Sequence, residues 1–426
     1  MSTHAEALVP DGAFRVTTIP ISDPGDLLDR LPDASATAWV RETEGMVGWG
    51  TAVRWEVTGE ERFSRAQRLW AEWCRRAVVD DPLGIPGSGP VAFASFTFEA
   101  EPTSGVASCV VIPRVTIGRR GDLAWMTLVD PASTTPRDGV APVLPPVSLA
   151  PSPTGVEWSQ GSRSAEEWQA AVVEVIRRIG AGELDKVVLA RDIVARADRL
   201  DARYVLRRLA SSYPGCWTFS VDGLIGATPE LLVRRTGDLV VSRVLAGTVK
   251  RRGDETVDDS LAAALLGSGK DLEEHEYAVH SVARALAAHC TDLSVPARPR
   301  VLRLPNVQHL ATDVTGSLAD DAPVLALAAA LHPTAAVCGT PTERALLAIR
   351  ELEGMDRGRY AGPVGWFDSR GDGEFGIALR CAEVLDDGLR LFAGCGIVSG
   401  SDPEAELAES RAKFVPIRDA LMDPDA

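Results

Sequence analysis

The sequence predicts an α+β protein or a mixed sheet, with antiparallel pairing in at least part of it. Two hairpin signatures carry that expectation: "LLVRRTGDLVVSRV" turns at Thr236-Gly237-Asp238, and "IALRCAEVLDDGLRLFAGC" turns at Asp386-Asp387-Gly388. A hairpin forces antiparallel pairing, which argues against a doubly wound parallel sheet. The third observation is the alternation of apolar runs with helix-period stretches from Ser164 onward.

Before that point the chain carries short strand-like runs such as "VAFASFTF" (91–98) and "SCVVIPRVTI" (108–117), separated by Gly, Pro and Asp turns. The Pro-rich "APVLPPVSLAPSPT" (141–154) has the composition of a linker. Ser164 then opens "SAEEWQAAVVEVIRRIGAG"; with Glu167 it fits a capping box, and Gly180 and Gly182 end the helix. Strands follow in "KVVLARDIVA" and "CWTFSVDGLIGA", ahead of the two hairpins. In "ELDKVVLAR" Lys186 stands at the mouth of a buried strand. There a lysine is either a solubilising edge charge or an amine in an apolar pocket, where a lowered pKa makes it a usable base.

Bulk properties exclude several classes. A net charge of -16 over 426 residues argues against nucleic-acid binding, yet leaves room for an anionic small molecule at a locally positive or metal-bearing site. "MSTHAEALVPDGAF" lacks a basic n-region and an apolar h-region, and no apolar run approaches the ~20 residues of a membrane span, so no membrane association and a cytoplasmic location are expected. The 7 cysteines contain no C-x-x-C pair and suggest neither a disulfide framework nor a zinc site. "GDGEFG" (371–376) matches G-x-G-x-x-G but precedes a strand, so it reads as a hairpin turn rather than a dinucleotide fingerprint.

Two acidic helices hold more chemistry. In "GKDLEEHEYAVHSVARALAAHC" (269–290) Leu272, Val279, Val282 and Leu286 form an apolar stripe, with Asp271 and Glu274 on an adjoining face. In "SDPEAELAESRAKF" (401–414) Ser401 or Asp402 caps, Pro403 suits the first turn, and Glu406, Glu409 and Lys413 share a face. Such i,i+3 carboxylate pairs are either solvated helix surface or an all-oxygen Mg²⁺ site. Pro416 is expected to kink or end the second helix.

Eight ordered stretches then resemble the chorismate-utilising enzymes: "DKVVLAR" (185–191), "ATPELLVR" (227–234), "LAGTVKR" (245–251), "KDLEEHEYAV" (270–279), "VQHLATDVTG" (307–316), "LHPTAAVCGTP" (331–341), "RGRYAGPVGWFDSRGDGEFGIALR" (357–380) and "GCGIVSGSDPEAELAESRAK" (394–413). The resemblance implies that Lys186 activates water for attack at C2 of chorismate and that Glu230 protonates the departing C4 hydroxyl. It implies Mg²⁺ held by Glu274 and Glu409, with Asp271 and Glu406 beside them. Gly247, Thr248, His309, Tyr360, Arg380, Gly394, Gly396 and Lys413 match substrate-pocket positions. Arg380 and Tyr360 would hold the pyruvyl carboxylate. Gly394 and Gly396 read either as turn glycines or as points of close backbone approach.

Within that family Lys186 argues against anthranilate synthase, where glutamine is expected. Ala336 stands where pyruvate-eliminating members carry threonine, so the chain most resembles isochorismate synthase, a step shared by menaquinone and siderophore routes. Salicylate synthase and aminodeoxychorismate synthase component are the alternatives, and a non-catalytic chorismate-binding protein is a rival of another class. The implied fold is that of the anthranilate synthase component I: one large monomeric domain of packed, mostly antiparallel sheets with helices outside them. On that view residues 1–150 complete the sheets of the motif-bearing 160–420 region, and 141–154 is an internal crossing.

Overall fold

The computed structural model describes residues 13–134 and 143–422. Within them 21 strands form one continuous hydrogen-bonded network, with eight α-helices against it. The pairings are antiparallel except that of Phe14–Ile21 with Val78–Asp80.

Two arms spread from the long Ser108–Arg120 strand. One passes through Glu44–Val57, Thr37–Arg41, Trp217–Val221, Leu224–Thr228, Cys381–Leu385 and Gly388–Ile397 to the Lys186–Arg196 strand, which also pairs with Glu157–Gln160 and Gly339–Thr340. The other passes through Val91–Ser95, Pro363–Asp368, Gly373–Ile377, Leu231–Thr236 and Leu239–Lys250 to Val307–Leu318. N-terminal strands therefore sit inside both arms, and one apolar cluster joins Val16 and Phe93 to Val187, Phe375 and Leu407. The Pro-rich 141–154 segment connects parts of one fold. Its residues 141 and 142 lie outside the described residues, and 143–153 form neither helix nor strand.

Local signals are met in detail. Ser164 and Glu167 make the reciprocal capping box of the Ala165–Gly180 helix. Asp402 caps Pro403–Leu421 by accepting from the Ala405 amide at 2.9 Å. Both predicted hairpins are present, Leu231–Thr236 with Leu239–Lys250 and Cys381–Leu385 with Gly388–Ile397.

Two expectations need correction and a third, for Pro416, is narrowed. "CWTFSVDGLIGA" is not one strand but a hairpin, because Asp222 (φ 51°) and Gly223 (φ 82°) adopt the paired left-handed conformation of a tight two-residue turn. Pro416 does not end its helix, which continues to Leu421. A helical proline leaves the carbonyl four residues earlier without its amide donor; here the Ala412 carbonyl accepts from Asn306 Nδ2 at 3.2 Å instead. In the Gly269–Leu286 helix Leu272 is only half-buried. The buried stripe runs through His275, which is held between the Ala246 carbonyl (3.2 Å) and Thr312 Oγ1 (2.7 Å).

Candidate active site

The two arms and the acidic helices enclose a cleft of about 670 Å³, part of it open to solvent. Glu230, Gly247, Thr248, Glu274, His309, Ala336, Tyr360, Arg380, Gly394, Gly396, Glu409 and Lys413 all line it. Residues spread over most of the motif-bearing region thus converge on one space.

Lys186 is not an edge charge. Its strand is flanked by Gly388–Ile397 on one side and by Gly339–Thr340 at its start, and its side chain is fully buried. Nor is it an isolated amine in an apolar pocket, since Nζ lies 3.2 Å from Glu274 Oε1. That approach is not aligned as a hydrogen bond, and Nζ has no other hydrogen-bond partner. A buried lysine with spare donor capacity beside a carboxylate is costly unless it serves the site.

Gly396 explains how the two groups meet. A Cβ there would stand 2.2 Å from Glu274 Oε1 and 3.0 Å from Lys186 Cε, so any side chain would occupy the space both need. Gly394 plays a similar part, because a Cβ would press on the Tyr360 hydroxyl at 3.0 Å. The turn-glycine reading therefore fails for both. Gly247 differs: its φ of 79° is a backbone requirement, and Asp271 Cβ would lie 3.1 Å from an added methyl.

Glu230 sits between the Leu224–Thr228 and Leu231–Thr236 strands and is 4% exposed. Burial pushes its carboxyl up to about 8, outweighing the opposing pull of Lys186, Arg380 and Lys413. It is therefore a protonated acid at neutral pH. His309 is the opposite case. Burial, then Arg380 and Lys413, hold its imidazole well below the usual range, so it is neutral. Arg380 NH2 approaches Nε2 at 3.3 Å and has only protons to give, which makes Nε2 the acceptor and leaves Nδ1–H to face Thr248 Oγ1 at 3.0 Å.

Positive charge concentrates opposite. Arg380 is buried, in a left-handed backbone conformation (φ 48°). Lys413 donates to the Gly394 carbonyl at 2.7 Å and to Glu409 at 2.6 Å. Burial opposes its charge, but Glu409 more than compensates and holds the ammonium above its ordinary range. Tyr360 stacks on Phe392 with ring centroids 5.1 Å apart, and burial keeps its phenol protonated.

The carboxylates split into two tiers. Glu274 and Glu409 line the cleft, whereas Asp271 and Glu406 lie one turn back toward their helix N-termini and do not. Asp271 takes the Ser268 hydroxyl, while Glu406 accepts from Ser401 Oγ at 2.7 Å and Lys270 Nζ at 2.9 Å. Burial raises both carboxyls, with Glu409 adding repulsion at Glu406 and Glu274 at Asp271. Among the described residues the ligand atoms of Cys395, Glu406 and Glu409 lie within 4.8 Å of one another, and Glu274 points instead at Lys186. Burial pushes the Cys395 thiol well above its usual range, so the available donors are carboxylate oxygens. Mutually repelling oxygens from two helices at one cleft fit a hard dication such as Mg²⁺.

Sequence reasoning missed Lys270, Ser268 and Ser401, whose roles depend on which helix start faces which. It also missed the Glu353–Arg357 pair. Arg357 donates to the carbonyls of Val337 and Val188, both at 2.8 Å, and Glu353 accepts from the Ala190 amide at 2.8 Å, fixing the wall that carries Ala336. Its i,i+4 spacing is visible in the sequence; its burial is not.

Comparison with known proteins places this arrangement. The family described as chorismate binding enzyme matches residues 15–422. The isochorismate synthase DhbC of Bacillus subtilis is 43% identical over 262 residues, a match that covers 58% of this chain and 66% of that protein. The salicylate biosynthesis isochorismate synthase of Pseudomonas aeruginosa is 34% identical over 402 residues, covering 90% and 84% of the two chains. The solved structure of the menaquinone-specific isochorismate synthase from Escherichia coli superposes with a TM-score of 0.79 at 26% identity, covering 99% of this chain and 97% of that one. Anthranilate synthase component I from Streptococcus pneumoniae, at 18% identity and a TM-score of 0.71, covers 88% and 91% and shares the fold.

Proposed function

The chain belongs to the chorismate-binding enzyme family, and from that premise we propose that it is an isochorismate synthase that isomerises chorismate with Mg²⁺ bound. One observation carries the reading: a protonated carboxyl, Glu230, lines a cleft beside which Lys186 is fully buried with no hydrogen-bond partner among the described residues.

The reaction adds water at C2, shifts the ring double bonds and expels the C4 hydroxyl. Lys186 takes up the proton that the attacking water loses as the C2–O bond forms. Glu230 delivers its proton to the hydroxyl as the C4–O bond breaks, so that a second water leaves. One proton is taken and one given, and exchange with solvent resets both groups. Chorismate is a dianion; Arg380 and Lys413 supply positive charge, and Tyr360 and the neutral His309 supply hydrogen bonds that orient it. Glu274 and Glu409 would hold the metal directly, with Asp271 and Glu406 behind them. The metal's chemistry there is to neutralise the ring carboxylate.

Ala336 in the cleft wall favours isomerisation over pyruvate elimination, because no hydroxyl is presented there. Incubation with chorismate and Mg²⁺, with products resolved by HPLC, is expected to give isochorismate without pyruvate. Salicylate plus pyruvate, or no turnover without an amine donor, would overturn the assignment. The relatives' names connect the step with salicylate in Pseudomonas aeruginosa and with menaquinone in Escherichia coli; both routes begin with the product proposed here.

Gly396→Ala tests the packing beneath the pair. The new methyl cannot coexist with Glu274 and Lys186 as placed, and misplacing reacting groups by about 1 Å costs about 10²-fold. A fall of that size in kcat, with an unchanged circular dichroism spectrum, is the expected result. Wild-type turnover in the variant would show that the contact has no bearing on catalysis.

A further inference from the structure

Each of the four carboxylates assigned to the metal already has a partner on this chain. Glu274 faces Lys186 at 3.2 Å, Glu409 faces Lys413 at 2.6 Å, Glu406 faces Lys270 at 2.9 Å, and Asp271 takes the Ser268 hydroxyl. A dication that binds these oxygens must compete with partners already in place, and the three lysines are not equally able to yield.

Lys186 is fully buried on a strand paired to its neighbours, and it has no exit. Lys413 has a side chain only 13% exposed and is anchored by the Gly394 carbonyl as well as by Glu409. Lys270 differs on both counts. It is the second residue of the Gly269–Leu286 helix, and its side chain is 38% exposed. Among the described residues its hydrogen-bonded partner is Glu406, and its stem lies near Gly400, just ahead of the other acidic helix.

Glu406 makes the opposite contrast. Its side chain is 4% exposed and crowded by Glu409, so its buried charge needs a counterion. Lys270 supplies it from the facing helix. An ordinary surface ion pair has both ends in water and little energetic consequence; this one has a partly exposed end and a buried one.

We propose that Lys270 is an exchangeable internal counterion of the carboxylate site, competing with the divalent cation for Glu406 and swinging toward solvent when metal binds. The inference rests on the reading of these carboxylates as the metal site. In the metal-free chain the same contact ties the start of one acidic helix to the start of the other. Lys270 thereby sets how much metal is needed to load the site, without touching the substrate.

The test is calorimetric titration of Mg²⁺ into the full chain without substrate, for wild type, Lys270→Met, Lys270→Gln, Glu406→Gln and the Lys270→Met/Glu406→Gln double variant. Removing the competing ammonium is expected to tighten Mg²⁺ binding about tenfold, a change within the range of coupled neighbouring charges. Both Lys270 variants should show it, and the gain should vanish once Glu406 is already neutral. Unchanged or weaker binding in the Lys270 variants, alongside a wild type that binds Mg²⁺, would overturn the counterion role and leave the metal site standing. A gain that persists in the Glu406→Gln background would overturn competition for that carboxylate. Absence of Mg²⁺ binding in wild type and Lys270 variants alike would overturn both the role and the metal reading.

Discussion

Lys186→Ala is expected to lower kcat for isochorismate formation by about 10²–10⁴-fold, the range for loss of a positioned general base. The side chain is fully buried and Nζ has no aligned hydrogen bond, so no neighbouring residue on the same strand can replace it. The substitution also leaves Glu274 without its 3.2 Å partner. Mg²⁺ titration separates the two consequences: a catalytic role predicts lost turnover with metal binding retained or tightened. Chorismate consumption at the wild-type rate would make Lys186 a purely structural lysine. Lys186→Arg should not rescue, because a guanidinium is effectively always protonated and cannot accept the proton.

Glu230→Gln is the second large effect. Glutamine keeps the shape and the hydrogen bonds but has no acidic proton to give, so kcat should again fall by about 10²–10⁴-fold. The pH profile carries the sharper information. With its carboxyl pushed up to about 8, Glu230 bears the needed proton below that value and loses it above. Wild-type kcat should therefore decline as pH rises through about 8, and that limb should be missing from the residual activity of Glu230→Gln. Stability depends on the same proton. The folded carboxyl holds its proton to a higher pH than the unfolded one, so between about 4.5 and about 8 the native state binds more protons and stability falls as pH rises. Glutamine removes that cost, so at neutral pH the variant should be more stable by an amount on the order of a few kcal/mol. Urea unfolding at pH 5 and pH 8 for both proteins measures it; equal pH dependence in the two would mean Glu230 is ionised in the native protein.

The same residues show what was readable before folding. Turn chemistry is local, so Thr236-Gly237-Asp238 and Asp386-Asp387-Gly388 declared antiparallel pairing, and Ser164 with Glu167 declared a helix start. Asp222-Gly223 was just as local a turn signal, lost only because apolar residues on both sides read as one run. The substrate-pocket positions named from the eight ordered motifs line one space, whereas Lys186, Asp271 and Glu406 do not line it.

Consequences that depend on distant neighbours were not readable. Pro416 continues its helix because Asn306, remote in sequence, supplies the missing donor to Ala412. Gly396 is a glycine because Glu274 and Lys186, from a helix and another strand, pass over it. By itself, then, the sequence determined the antiparallel hairpins, the capped helix starts and which pocket positions line the cleft, since these follow from local propensity and ordered motifs. Only the tertiary structure decided that the lysine of "ELDKVVLAR" is buried against Glu274, that Glu230 keeps its proton, and that Lys270 counters Glu406. Burial and charge pairing are set by what lies across the sheet and across the cleft, and those neighbours come from elsewhere in the chain.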